Sequence, residues 1–247
     1  MGSFGASKQR LPLARAEMAR QYILEHIIRN ELHTGDPLPP EGQVAQELGV
    51  SRGSVREAVK ALQSLGIVDV RHGEGLYVRG ISFDSLLELL TFGARFDPPL
   101  LADLLQVRTW LEVAAVEDAV KSIDEAHVHQ MERCLREWEE NIRKGTPVSK
   151  VDRQFHHALY SVLGNRVLLE LLDVFWKVFS SIGIEDIKRD PTPLATLKEH
   201  RAIFEAVKKR DPAAAREAII CSNAHIMERI RQVIDAARQT PTEGGTP

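Results

Sequence analysis

The chain is predicted to be mainly α-helical: a winged helix-turn-helix followed by an antiparallel all-α bundle of about seven helices. Three observations predict this. Residues 38–78, LPPEGQVAQELGVSRGSVREAVKALQSLGIVDVRHGEGLYV, read as helix, tight turn, helix and two-stranded hairpin. After Gly80 the strand-like alternation stops, and apolar residues recur at helical spacing. The breaks between those helical stretches are short and carry Gly, Pro or Asp.

Each element has its own local reason. Ala19, Ile23, Ile27 and Ile28 share one side of a helix over 14–34, which Gly35-Asp36-Pro37 breaks. Pro39-Pro40 opens a second helix, and Gly49 closes it in a left-handed conformation. Ser51 caps the third helix. Val55, Ala58, Val59 and Leu62 turn its apolar side toward Val44, Ala45 and Leu48, and Gly66 ends it. Residues 67–71 and 75–79 alternate as strands around His72-Gly73-Glu74. Helices are then expected over roughly 83–95, 99–121, 124–143, 147–163, 165–187, 194–209 and 212–238. The expected organisation is a first domain over 1–80, a helical domain over 81–240 and a disordered tail over 241–247.

At 247 residues the chain is long enough to bury a real core. No apolar run reaches membrane-spanning length, and MGSFGASKQRLPLARAEM has no apolar signal core, so a cytoplasmic location is expected. Cys134 and Cys221 are too few for a disulfide framework and read as reduced thiols. The net charge of −3 does not favour a polyanion partner. Residues 1–80 hold 10 Lys+Arg against 9 Asp+Glu, and the remainder 22 against 26. Any affinity for nucleic acid must therefore come from placed arginines rather than bulk charge. A metal-dependent enzyme on a helical bundle is the first rival. The chain has no His-Asp dipeptide, no Glu-x-x-His pairs and no phosphate-cradling Gly loop. A non-enzymatic role is expected.

The third helix carries Arg52 and Arg56, four residues apart and so on one face. A guanidinium can donate two parallel bonds to guanine or clamp a phosphate. Ser51 and Ser54 add small hydroxyls near the same helix start, and Gly53 permits close approach. His72 and Gly73 form a hairpin tip able to reach a minor groove or phosphate. Two arginines on a helix face are ordinarily solvated charge. Here the helix is apolar on its other side and follows a Gly-centred turn, which favours DNA binding.

These residues resemble the GntR family of bacterial transcription regulators. The matching pieces are LPPE (38–41), LGVSRGSVREAVKAL (48–62), GIV (66–68) and HGEGLYV (72–78). The helical remainder resembles the FCD effector-binding domain of the FadR subfamily. The resemblance implies a homodimer on a palindromic double-stranded operator. It implies DNA contacts at Ser51, Arg52, Ser54, Arg56, His72 and Gly73. The family often places an Arg after the PxE motif, where this chain has Gly42.

Asp152 and His156 are four apart on one helical face, so both can bind one metal. His200 lies on another helix. One carboxylate and two imidazoles suit a divalent metal such as Zn, Ni, Mn or Fe and leave positions for a ligand. Taken alone, the first pair reads better as a charged i,i+4 hydrogen bond on a surface helix, and a lone His200 is more often a satisfied, partly buried histidine. The FCD resemblance implies a metal held by Asp152, His156 and His200. Many relatives add a histidine on the last helix where this chain has Ser222. His225, three residues on, is a further metal candidate. His157, His127 and His129 fit less well.

Arg108 shares a face with Leu101, Leu104, Leu105 and Leu111, so it needs an anion. That anion is Glu112, four residues on, or a carboxylate effector, and the resemblance favours an effector pocket. Asn165 is a second effector-binding candidate, and helix capping explains it equally. Trp110, Trp138, Trp176, Phe175 and Phe179 are expected in the core. The implied function is a ligand-responsive repressor that senses a small hydroxy acid or sugar acid through a metal-containing pocket. A metal-free sensor of an acyl-CoA type is the second rival.

Overall fold

The computed structural model describes residues 6–80, 82–181 and 192–239. The predicted tail, and the end of the helix expected over 165–187, lie outside them. The chain divides into two compact units, Met1–Ser85 and Leu86–Pro247.

The first unit runs α1 (Ala6–Arg29), β1 (Pro37–Leu38), α2 (Glu41–Leu48), α3 (Arg52–Ser64), β2 (Val68–Arg71) and β3 (Gly75–Val78). Helix α1 stops before the expected 34 because Glu31 takes a left-handed φ of 52°. Gly49 ends α2 at φ 63°, a conformation that costs glycine little. Ser51 Oγ accepts the Ser54 N–H at 3.1 Å and so caps α3. The α3 residues Val55, Ala58, Val59 and Leu62 are buried with Val44, Ala45, Ala19 and Ile23. Burying each larger side chain contributes about 1.5–3 kcal/mol. Strands β2 and β3 pair antiparallel, Val68 opposite Val78 and Arg71 opposite Gly75. Strand β1 adds to the far side of β3, Pro37 opposite Tyr77. This two-residue strand was not expected. It is too short to show an alternation, and Pro37 speaks against a strand.

The second unit holds α4 (Asp84–Phe96, whose first two residues belong to the first unit), α5 (Leu100–Ser122), α6 (Glu125–Lys144), α7 (Ser149–Tyr160) and α8 (Arg166–Ser181). Helices α9 (Pro193–Lys208) and α10 (Pro212–Gln239) complete seven α-helices among the described residues. A 3-10 turn, Ser161–Leu163, follows α7, so the helix expected over 147–163 is shorter than its pattern. Helix α5 packs along α10 and against α7 and α8, while α6 packs on α7 and α9. Trp138, Tyr160, Phe155, Leu101 and Leu105 are among its fully buried side chains.

Trp110 departs from expectation: it is 64 % exposed. The buried stripe of α5 runs through Leu101, Leu105, Arg108 and Glu112. A position two residues past Arg108 points away from that stripe at about 100° per residue. Trp138, Phe175 and Trp176 are buried.

Candidate nucleic-acid interface and metal centre

In the first unit, α3 turns its charged side outward. Ser51, Arg52, Gly53 and Arg56 are exposed. Arg56 Nε lies 3.4 Å from Glu41 Oε2. The Arg52 guanidinium covers Gly42: a Cβ at position 42 would meet its Nη2 at 3.6 Å. The first turn of α2 therefore supports both arginines. Ser54 is 8 % exposed, and its hydroxyl lies 3.0 Å from that of Ser51. It faces its neighbour rather than open solvent. His72 and Gly73 are exposed at the β2–β3 turn, where Gly73 takes φ 78°. Arg71 stacks over the Tyr77 ring at 4.0 Å beside that turn.

In the second unit, three helices bring together Asp152 and His156 of α7, His200 of α9, and Arg108 with Glu112 of α5. His200 Nε2 lies 3.0 Å from Asp152 Oδ1 and 3.1 Å from His156 Nε2. His156 Nε2 lies 3.4 Å from Asp152 Oδ1. The three form a cluster of possible metal ligands. These separations match neighbouring ligands around one ion at the usual bond length of about 2.1 Å.

The outer ring nitrogens decide what the inner ones offer. His200 Nδ1 lies 2.9 Å from the Thr196 carbonyl oxygen, which can only accept. His200 Nδ1 therefore carries a proton, which leaves Nε2 as the ring position that faces inward and can bind a cation. His156 Nδ1 lies 2.8 Å from Glu112 Oε1, an electrostatic contact rather than an aligned hydrogen bond. Facing a carboxylate, it too holds its proton outward. Two imidazole lone pairs and a carboxylate oxygen thus converge, and they need a proton or a cation between them. That donor set fits a divalent metal.

Charge is concentrated and countered here. Burial alone would raise the Glu112 pKa, but the Arg108 charge, the adjacent His156 ring (protonated when no cation lies between the two histidines) and the bond from Asn223 bring it to about 2. Burial would also raise Asp152, yet the two histidines hold it well below the usual carboxylate range. Burial works to lower the His156 pKa, and Glu112 with Asp152 outweighs it and raises it.

Arg108 is 3 % exposed and Glu112 fully buried. Arg108 Nε donates to Glu112 Oε2 at 3.2 Å, and its guanidinium lies 4.0 Å from the Trp176 ring centre. Trp176 Nε1 donates to Asp152 Oδ2 at 3.0 Å. Trp138 lies 4.2 Å from the His200 ring and Phe155 5.2 Å from it. Asn165 is exposed, and its Oδ1 accepts the Leu168 N–H at 3.1 Å. That is the capping alternative. His225 lies 2.7 Å from Glu199 Oε1 and outside the three-residue cluster. Ser222 is buried.

Sequence reasoning missed Asn223 and treated Trp138 and Trp176 as core only. Asn223 had no signal, since one Asn on a helix is usually exposed. Trp176 is both core and donor. An indole N–H buried near a carboxylate is the pairing that could have been sought.

Residues 15–78 match the family described as "Bacterial regulatory proteins, gntR family", and residues 103–226 match the FCD domain. The chain is 28% identical over 227 residues to the HTH-type transcriptional repressor NanR of Cronobacter sakazakii, covering 88% of this chain and 86% of that protein. It is 27% identical over 227 residues to the repressor of the same name from Salmonella newport, with the same coverage. The solved structure titled Streptococcus agalactiae GntR aligns with a TM-score of 0.61 at 28% identity, over 88% of this chain and 99% of that one. No described helix is long and apolar enough to cross a membrane. With both halves of the chain matched, it belongs to the gntR family of bacterial regulatory proteins with an FCD domain, and it is a ligand-responsive, DNA-binding transcription regulator rather than an enzyme.

Proposed function

We infer that this regulator is a cytoplasmic, dimeric repressor whose second unit holds one divalent metal and reads a small hydroxy acid or sugar acid. Convergence of the Asp152 oxygen and the His156 and His200 Nε2 lone pairs carries this reading. Zn, Ni, Mn and Fe all accept such donors. When bound, the metal supplies Lewis-acid positions that a carboxylate or hydroxyl oxygen can fill. Arg108 offers the complementary cation for the acid's carboxylate. Glu112 holds the guanidinium in place, and Trp138, Phe155 and Trp176 keep the histidines in an apolar surround.

On DNA, Arg52 and Arg56 read base edges or clamp phosphates from α3, and His72 with Gly73 reaches the backbone from the hairpin tip. Ser51 donates to phosphate, and Ser54 supports it from behind. A second copy supplies the other half-site of a palindrome. Leu89, Phe92, Phe96 and Trp110 are exposed apolar side chains that a second copy would cover. The acid prefers one arrangement of the dimer and so changes DNA affinity.

Metal analysis of protein purified without chelator or nickel resin tests the reading, followed by thermal shift across a panel of organic acids. About one metal per chain is expected, lost in Asp152→Ala and His156→Ala. Stoichiometric metal in those variants would overturn it. A metal-free protein stabilised by acyl-CoA would favour the second rival.

A further inference from the structure

We propose that Glu112 is a positioning residue that couples the anion-binding guanidinium of Arg108 to the metal ligand His156. The proposal rests on the metal and carboxylate reading above and adds how the two ligands communicate.

Glu112 is fully buried on α5 and divides its two oxygens between two tasks. Oε1 lies 2.8 Å from His156 Nδ1. Oε2 accepts from Arg108 Nε at 3.2 Å and from Asn223 Nδ2 at 2.9 Å. Asn223 is itself 3 % exposed, so it ties the last helix to the same carboxylate. Trp176 also lies against both, 4.0 Å from the Arg108 guanidinium and 5.1 Å from the His156 ring, but Glu112 is the charged link between them.

The physical consequence follows from charge. In a buried site, interactions between these groups are strong because little water screens them. Arg108 draws on the negative charge of Glu112. An anion that engages Arg108 competes for that guanidinium. More of the Glu112 charge then acts on the His156 Nδ1 proton. A carboxylate behind a histidine raises the basicity of its inner nitrogen and orients the ring for a metal. Occupation of Arg108 by an anion therefore tightens metal binding. By linkage, the metal tightens anion binding by the same factor.

The test needs no identified effector. Co²⁺ is titrated into metal-stripped full-length protein, and its visible absorption reports affinity and ligand field. Four proteins form a cycle: native, Arg108→Gln, Glu112→Gln and the double variant. Arg108→Gln imitates withdrawal of the guanidinium and is expected to tighten Co²⁺ binding about fivefold or more. Glu112→Gln is expected to weaken it about 10–100-fold and to shift the spectrum. In the double variant Arg108→Gln loses its effect. A purely structural Glu112 would lower thermal stability and leave Co²⁺ affinity and spectrum unchanged, which overturns the proposal. So does equal tightening by Arg108→Gln with and without Glu112, the mark of direct charge repulsion. Should Glu112→Gln fail to fold, Glu112→Asp keeps the charge, withdraws it from His156 and is expected to weaken Co²⁺ binding; native affinity there overturns the proposal. His156→Ala runs in parallel. Undiminished Co²⁺ binding in that variant defeats the metal reading itself, a result distinct from any outcome of the Glu112 cycle.

Discussion

His156 and His200 point their Nε2 atoms at each other across 3.1 Å, from two different helices. Each ring has its outer nitrogen committed, to Glu112 and to the Thr196 carbonyl. Two lone pairs at that separation repel unless a proton or cation lies between them.

Zn²⁺ is therefore expected to stabilise the protein. At a free concentration a hundred times its dissociation constant, the gain is about 2.7 kcal/mol. Calorimetry with and without Zn²⁺ reads it as a rise in Tm. His200→Ala removes one of three ligands and is expected to abolish most of the rise. An equal rise in that variant would place the metal elsewhere.

Arg52 and Arg56 are exposed, so their removal should leave the fold intact. Each Ala substitution is expected to cost about 1–3 kcal/mol of specific DNA binding and to flatten the dependence on salt. Melting curves should match the native protein. Loss of DNA binding together with loss of folding would mean that the arginines serve the first unit's structure.

Ser51→Ala removes the cap of α3. The expected loss is about 1 kcal/mol of stability. Urea unfolding measures it. The variant also loses the partner of the Ser54 hydroxyl, so Ser51→Thr should recover part of the deficit.

Much of the first unit was legible in the sequence because its signals are local. Gly49 and Ser51 occupy the stop and start positions that their chemistry suits, and both act there. Strand β1 left no trace, since its pairing with β3 depends on residues about forty positions away. In the second unit, helical periodicity placed Asp152 beside His156. It could not place His200 against them, because that approach depends on how α6, α7 and α9 pack. Arg108 and Glu112 were legible as a pair at four-residue spacing. Their link to Asn223, 111 positions after Glu112, was not. Trp110 was misassigned to the core because hydrophobicity alone does not say which side of α5 faces in.

Glu112 also bears on acid stability. Its folded pKa is about 2, below the ordinary 4.5. A depressed carboxylate adds stability above its unfolded pKa and loses it as pH falls through the folded one. Metal-stripped protein is thus expected to lose stability between about 4.5 and 2. Glu112→Gln should show a shallower acid limb, with lower stability at neutral pH. Parallel limbs in pH-resolved urea unfolding would show that Glu112 is not held as a buried anion.

Selection of DNA from a random pool, followed by titration of the recovered sequence, tests the central claim most directly. The account predicts a palindromic site, bound tightly by the native protein and weakly by Arg52→Ala and Arg56→Ala. It predicts that a small hydroxy acid or sugar acid shifts that affinity in metal-loaded protein and not in Asp152→Ala. Recovery of no preferred sequence, or binding indifferent to both arginines, would contradict it.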